Sequence, residues 1–408
     1  MRARTVVALL LAWCALALGL APGATAAPTA ALATDPWQEL APGVAYRAFE
    51  TSASHGLVRV HLLSVDLRAE GVEVDLLHPG AVAARAPLSA LADARGAIAG
   101  VNGDFFNISE TQHPGVDATG ASVGPAIGDG RELKAAVPTG QRFGPALPPG
   151  TDTREVFGVG VDHRARMGRL ALDGTVTDPA GAFPLGGLNQ YALPVGSVGV
   201  FTADWGAASR ARAVCGTDTD RAAACATETY EVTVRDGRVV EVADAPGRGP
   251  VAEGTEVLVG REDGARRLRT LAVGDRVRVR HRLVAEGAGV PYRFAVGGFP
   301  LLRGGAPLPG LDTVTAAVRT AAGSTDGGRG LLLMALDGAP GLRAGMTVAE
   351  VAALLAASGA SEGFSLDGGG SSTLVGRTAD EPAVTVRNHP SGGVERPVPN
   401  GIGVMSRH

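Results

Sequence analysis

The chain has 408 residues, 45% of them hydrophobic, and a formal charge of -4. That is enough apolar material for one large domain or two medium ones, which excludes a disordered chain. The mildly acidic balance gives nucleic-acid binding no support.

Residues 1–26 carry Arg2 and Arg4, an apolar run over 6–20 and an Ala24-Thr25-Ala26 site, which together predict a secretory signal peptide. The run is too short for a membrane span, so the expected mature form is soluble, secreted and without a span, with a formal charge of -6. Two cysteines remain after its removal, Cys215 and Cys225, ten positions apart. In an oxidising compartment they are expected to form a disulfide that closes a surface loop; a metal pair would call for more Cys or His nearby, and no CxxC spacing exists.

Alternating apolar residues predict strands over 57–66 and 72–77, then a short helix over 88–94. A buried strand over 97–101 delivers Asn102-Gly103-Asp104-Phe105-Phe106-Asn107, polar groups at a turn anchored by two phenylalanines. Loops fill 115–150, and strands are expected at 157–161, 169–172 and 198–202. The segment 206–286 differs in kind. Strands 229–235 and 238–242 flank an Asp236-Gly237 turn as a hairpin, and further strands follow at 255–259 and 275–280. In the last, Arg276, Arg278, Arg280 and Arg282 share one face, either a solvated strand face or a surface for an anionic polymer.

The run Gly330-Leu-Leu-Leu-Met-Ala-Leu-Asp337 has the continuous apolar character of a strand buried on both faces. Thr347 and Glu350 form a capping-box pattern, Val348, Val351, Leu354 and Leu355 recur at helical spacing, and Gly359 sits where a C-terminal cap belongs. Gly363-Phe-Ser-Leu-Asp-Gly-Gly-Gly-Ser-Ser-Thr-Leu-Val375 follows at once. A strand, a helix and a strand at these lengths predict a right-handed crossover between parallel, neighbouring strands. Asp337 and Asp367 each follow the last apolar residue of their strand, so both are expected at one sheet edge, where open α/β sheets place ligands.

Two carboxylates are the equipment for breaking a glycosidic bond, and an arginine fork with a glycine nest is the equipment for holding phosphate. A sugar joined through its anomeric carbon to a phosphodiester needs both, with Arg319 as the candidate for the departing charge. No G-x-S-x-G elbow is present, and the eight histidines lack HExxH spacing. A divalent cation such as calcium, held by Asp and Asn oxygens, stays open, although no EF-hand spacing matches.

Seven blocks carry a resemblance: Val101-Asn-Gly-Asp-Phe-Phe106, Val296-Gly-Gly-Phe-Pro-Leu-Leu302, Arg319-Thr-Ala-Ala-Gly323, Ala335-Leu-Asp-Gly338, Gly345-Met-Thr-Val-Ala-Glu350, Leu366-Asp-Gly-Gly-Gly-Ser-Ser-Thr373 and Glu395-Arg-Pro-Val-Pro-Asn400. In this order the chain resembles the phosphodiester glycosidase family. The resemblance implies an α/β (mixed α+β) fold, with a mixed sheet, flanking helices and one catalytic groove. It also implies hydrolysis of a sugar-1-phosphodiester to a free sugar and a phosphomonoester. No cofactor is expected, with the divalent cation left open. Carried over by position, the site comprises Asp367, Asp337, Arg319, Asn102 and Asp104, with Gly368, Gly369, Gly370 and Ser371 binding substrate. Family members often have a second glycine where Asp104 stands. The expected organisation is a signal peptide (1–26), a catalytic domain in two parts (27–205 and 287–408) and a β-rich insert (206–286). The expected partner is a sugar-phosphate glycoconjugate of a cell wall or exopolysaccharide. A non-catalytic polysaccharide-binding protein and a metal-dependent phosphodiesterase are the alternatives.

Overall fold

The computed structural model describes residues 33–287 and 289–407. The expected signal segment lies outside them. Among the described residues no helix is long and apolar enough to cross a membrane.

The fold is mainly β, which corrects the expected balance of helix and sheet. Its centre is an eight-stranded sheet in the order Gln38–Ala41, Val44–Ala53, Gly56–Asp66, Gly330–Leu336, Thr320–Thr325, Glu362–Leu366, Phe299–Arg303 and Ala306–Pro307. Every neighbouring pair in it is antiparallel, so this sheet is not mixed. The Gly330–Leu336 strand is buried on both faces. Leu332, Met334 and Leu336 enter one core with the helix residues Val348, Val351 and Leu355. Leu331, Leu333 and Ala335 enter the other with Val74, Val101 and Ile402 of a second sheet. Layers on both faces explain the unbroken apolar run; parallel pairing is not needed for it.

The helix Val348–Ala357 carries the expected capping box, with the Thr347 hydroxyl accepting from Glu350 N and the Glu350 carboxylate from Thr347 N. Gly359 follows the cap in the left-handed region, at φ +93°. The crossover that this helix makes is half as expected. Gly330–Leu336 and Glu362–Leu366 do run parallel, because both are antiparallel to Thr320–Thr325, but that strand lies between them. Asp337 and Asp367 therefore leave the same end of the sheet two strand spacings apart, about 10 Å.

The second sheet, antiparallel throughout, runs Thr385–Val386, Leu374–Gly376, Ala99–Asn102, Gly401–Ser406, Val72–Leu77. Segment 206–286 interleaves with what precedes it. Its Thr229–Arg235, Arg238–Ala243 and Thr255–Arg261 strands join Val198–Phe201 in one sheet, and Arg278–Ala285 pairs with Ala165–Asp178.

Cys215 and Cys225 are disulfide-bonded. The loop they close is exposed at its tip, yet Cys215 itself is 1% exposed, so the bridge anchors that loop in the core. Beneath it lies a buried polar network. Arg212 donates from Nε to Glu110 Oε2 (2.5 Å), from Nη2 to Gln141 Oε1 (2.9 Å) and from Nη1 to the Cys215 carbonyl (3.0 Å). His113 bridges Glu110 Oε1 and the Ala223 carbonyl. Replacing both cysteines by serine is expected to lower unfolding free energy by roughly 2–3 kcal/mol, the chain-entropy value for so short a loop. Urea titration of the oxidised and the substituted proteins measures it.

Candidate active site

The ends of central strands of two sheets meet at Asn102, the last residue of Ala99–Asn102. Its side chain is fully buried and acts as a clamp. Nδ2 donates to the Asp367 carbonyl (2.7 Å), while Oδ1 accepts from Thr320 Oγ1 (2.8 Å) and from Thr373 N (3.0 Å). The Asp367 amide in turn donates to the Gly103 carbonyl (2.8 Å). Asn102 thus fixes the backbone of Asp367 without reaching open space itself.

Asp367 keeps partial access to solvent. Burial, with the nearby Asp104 charge adding to it, pushes its carboxyl up to about 7, against hydrogen bonds from Ser371 and the Gly368 amide and the charge of Arg396. A carboxyl in that range exchanges protons at neutral pH.

Asp104 is 2% exposed. Its amide donates to Asn400 Oδ1 (2.9 Å), and its Oδ2 accepts from Gly124 N (2.6 Å). A Cβ on Gly297 would lie 2.5 Å from that Oδ2, so the carboxyl is wedged where only glycine fits. Oδ1 is buried without a hydrogen-bond partner. Burial pushes Asp104 up and the neighbouring buried Lys134 ammonium down, each restrained by the other's charge. Lys134 donates to the carbonyls of Val123 and Ala135 and closely to that of Gly124. The charge of Asp104 is one of the causes that raise Asp367.

Asp337 stands apart from this pair, and its carboxyl is saturated. Oδ2 lies 3.0 Å from both His61 Nε2 and His389 Nδ1 and accepts from His389 N (3.2 Å); Oδ1 accepts from Ala339 N (2.6 Å). Burial alone would raise it, but these bonds hold it well below the usual carboxylate range. The arrangement extends through His61 Nδ1 to the Tyr46 hydroxyl (2.8 Å). At its outer end His389 is exposed, with a buried anion aiming its ring. This is an aspartate-oriented histidine.

The glycine turn is tighter than an open nest. The Gly369 amide donates to the Val318 carbonyl (2.7 Å), and the Ser371 and Ser372 amides turn back on Gly368 and Gly369. A Cβ on Gly368 would lie 2.6 Å from that Val318 carbonyl oxygen, and Gly369 is left-handed at φ +60°. Gly370 leaves room for the Arg396 guanidinium, which also donates to Ser371 Oγ (3.3 Å).

Arg319 is engaged elsewhere, with Nε donating to the Met346 carbonyl (3.2 Å) and Nη2 to that of Thr315 (2.8 Å). The arginine whose charge bears on Asp367 is Arg396, a member of the Glu395–Asn400 block that sequence reasoning used only for resemblance. Glu395 beside it accepts from Ser89 N and Oγ at the start of the Leu88–Arg95 helix, which fixes the loop. Arg396 also lines a groove of about 800 Å³ with Arg85, Arg248, Asp117 and Thr119. Arg85 rests over the Phe106 ring, 5.6 Å from its centroid. Arg396 thus links this groove to Asp367. Among the described residues, the one His, Cys, Asp and Glu set close enough to share a metal is His113 with Cys215 and Cys225, whose sulfurs are in the disulfide.

Asp367, with its carboxyl raised to about 7, thus feels the charge of Arg396. The sequence resemblance holds over the second part of the chain, where residues 228–405 match the profile of the phosphodiester glycosidase family. Arg319, Asp337, Asp367 and Arg396 fall inside that match; Asn102 and Asp104 precede it. No curated protein matches the chain in sequence. Among solved structures it is similar to a protein of Burkholderia pseudomallei, at 22% identity and a TM-score of 0.71, covering 92% of this chain and 97% of that one. It is also similar to a protein of Synechocystis, at 20% identity and a TM-score of 0.67, covering 90% of this chain; it spans only 62% of that protein's length. These two share the fold. The catalytic domain of zebrafish N-acetylglucosamine-1-phosphodiester alpha-N-acetylglucosaminidase matches at 17% identity and a TM-score of 0.43, over 92% of this chain and 88% of that one.

Proposed function

We propose that the protein is an exported hydrolase that releases a terminal sugar from a sugar-1-phosphodiester of a cell-wall or exopolysaccharide glycoconjugate. The observation that carries this reading is Asp367, its carboxyl pushed up to about 7 and its charge met by Arg396, which also lines the groove. The family match supports glycosidase chemistry on phosphodiesters in general.

In this mechanism Arg396 and Arg85 hold the phosphate. The Asp367 carboxylate takes a proton from a water as the water oxygen bonds to the anomeric carbon. The bond from that carbon to the bridging oxygen breaks, and its electron pair leaves on the phosphomonoester. That leaving group is a stable anion and needs little protonation, so base and cation are the groups the step requires. Asp104 tunes Asp367, and Asn102 positions it.

Two measurements test the reading. Turnover of sugar-1-phosphodiesters in heavy-oxygen water should place the label on the sugar; label on the phosphate, or turnover only of nitrophenyl glycosides, would sink it. The rate should rise with pH through an inflection near 7, because the carboxylate is the active form. Asp104→Asn should move that inflection downward, since Asp104's charge is one of the things raising Asp367. An inflection that stays in place would remove Asp104 from the site.

A further inference from the structure

Outside the candidate site, one surface is charged in a way the fold does not explain. Arg276, Arg278, Arg280 and Arg282 alternate with the inward Val277, Val279, His281 and Leu283, and all four arginines are exposed. Their neighbours on Ala165–Asp178 are mostly threonines: Arg278 faces Thr177, Arg280 faces Thr175, and Arg282 faces Asp173, with which it is ion-paired at 2.7 Å. Among the described residues Arg276, Arg278 and Arg280 have no ion-pair partner. Arginines nearby do pair, as in Arg154 with Glu286 and Arg169 with Asp152. Arg276 is also bridged to Arg238, which adds charge to the row. Two adjoining grooves run along it and share Thr177 and Arg278. One is lined by Arg278, Arg280, Arg282 and Asp173, and the other by Arg276, Arg278 and Glu256.

Same-face residues on a strand repeat every two positions, about 6.8 Å, so the row presents four guanidinium groups over about 20 Å. Three uncompensated like charges in line on a net acidic protein are matched by a partner with anions at a regular, extended spacing. Stacked nucleic acid carries one charge per about 3.4 Å of strand, and its bases want aromatic platforms. No Phe, Tyr or Trp lines either groove, and the one imidazole, His281, is half-buried. Threonine hydroxyls do, and they suit polyol oxygens.

We propose that this arginine row docks a linear alditol-phosphate polymer, in extended form, at a site separate from the one that contains Asp367. The proposal does not rest on the catalytic reading.

The test measures binding of fluorescently labelled, lipid-free poly(glycerol phosphate) to the whole protein by anisotropy at several salt concentrations. Affinity should fall steeply with salt, and Arg276→Gln/Arg278→Gln/Arg280→Gln should weaken it at least tenfold and lower the log–log salt slope by about 2 to 3, one counterion per lost contact. Arg280→Lys should retain most affinity. These side chains are exposed, so thermal melting should be unchanged; if the triple variant does not fold, Arg278→Gln alone is read, with a smaller loss expected. No binding, equal binding by the variant, or equally tight binding of a single-stranded DNA of the same charge would each overturn the proposal. The last outcome would make the row a generic polyanion or nucleic-acid surface.

Discussion

Asp367→Asn is expected to lower turnover by about a hundred- to ten-thousand-fold, the range for loss of a general base, and at the same time to stabilise the protein above neutral pH. The second half follows from linkage. The carboxyl is raised to about 7 in the folded protein and has its ordinary value when unfolded. Below the ordinary value both states are protonated, and the group contributes nothing. As pH rises toward 7 the unfolded state ionises while the folded state resists, so the wild type loses stability across that window and the loss levels off above 7. Asparagine is spared this cost. After discounting for the partial exposure of Asp367, the variant should be more stable by about 1–3 kcal/mol at pH 8 and by nothing near pH 3. Melting both proteins across that range checks it. A gap that is constant with pH would mean that Asp367 is not raised, and the base assignment would go with it.

Arg212→Met is expected to cost about 3–5 kcal/mol, because it leaves the Glu110 carboxylate buried without its cation. Arg212 is fully buried, and the Glu110 side chain is 1% exposed. Burial alone would raise Glu110, but His113, Arg212 and Asn107 hold it below its ordinary value. Glu110→Gln in the same chain should recover part of the loss, and denaturant unfolding of the single and double variants gives the coupling directly. The network also reaches the site. Asn107 Nδ2 donates to Glu110 Oε2 (2.8 Å), and Asn107 ends the segment that holds Asp104. Arg212→Met should therefore lower activity well below its melting transition, whereas the disulfide replacement should act mainly on stability.

Which parts of this were legible in the sequence follows from how local the signals are. The capping box at Thr347 and Glu350, the hairpin at Asp236-Gly237 and the strand ends at Asn102 and Asp367 rest on neighbours within a few residues, the disulfide on two cysteines ten apart, and all are found. The parallel direction of the strands before Asp337 and Asp367 was readable from the helix between them. That they are not neighbours was not, since the inserted strand Thr320–Thr325 precedes both in the chain and its place depends on pairing over long range. The mainly β character was missed for a related reason. A two-faced apolar run marks a strand between two layers without saying whether helices or a second sheet form them.

The site divides in the same way. By itself the sequence determined that Asp367, the glycine turn and the Asn102–Asp104 turn would stand at strand ends, because apolar runs stop there and polar residues cannot continue into a core. Only the tertiary structure decided the partners. It set the charge of Asp104 against Asp367, tied Asp337 to His61 and His389, engaged Arg319 with carbonyls and brought in Arg396. Burial and charge at a site are sums over side chains far apart in the chain, and no spacing along the sequence carries that sum.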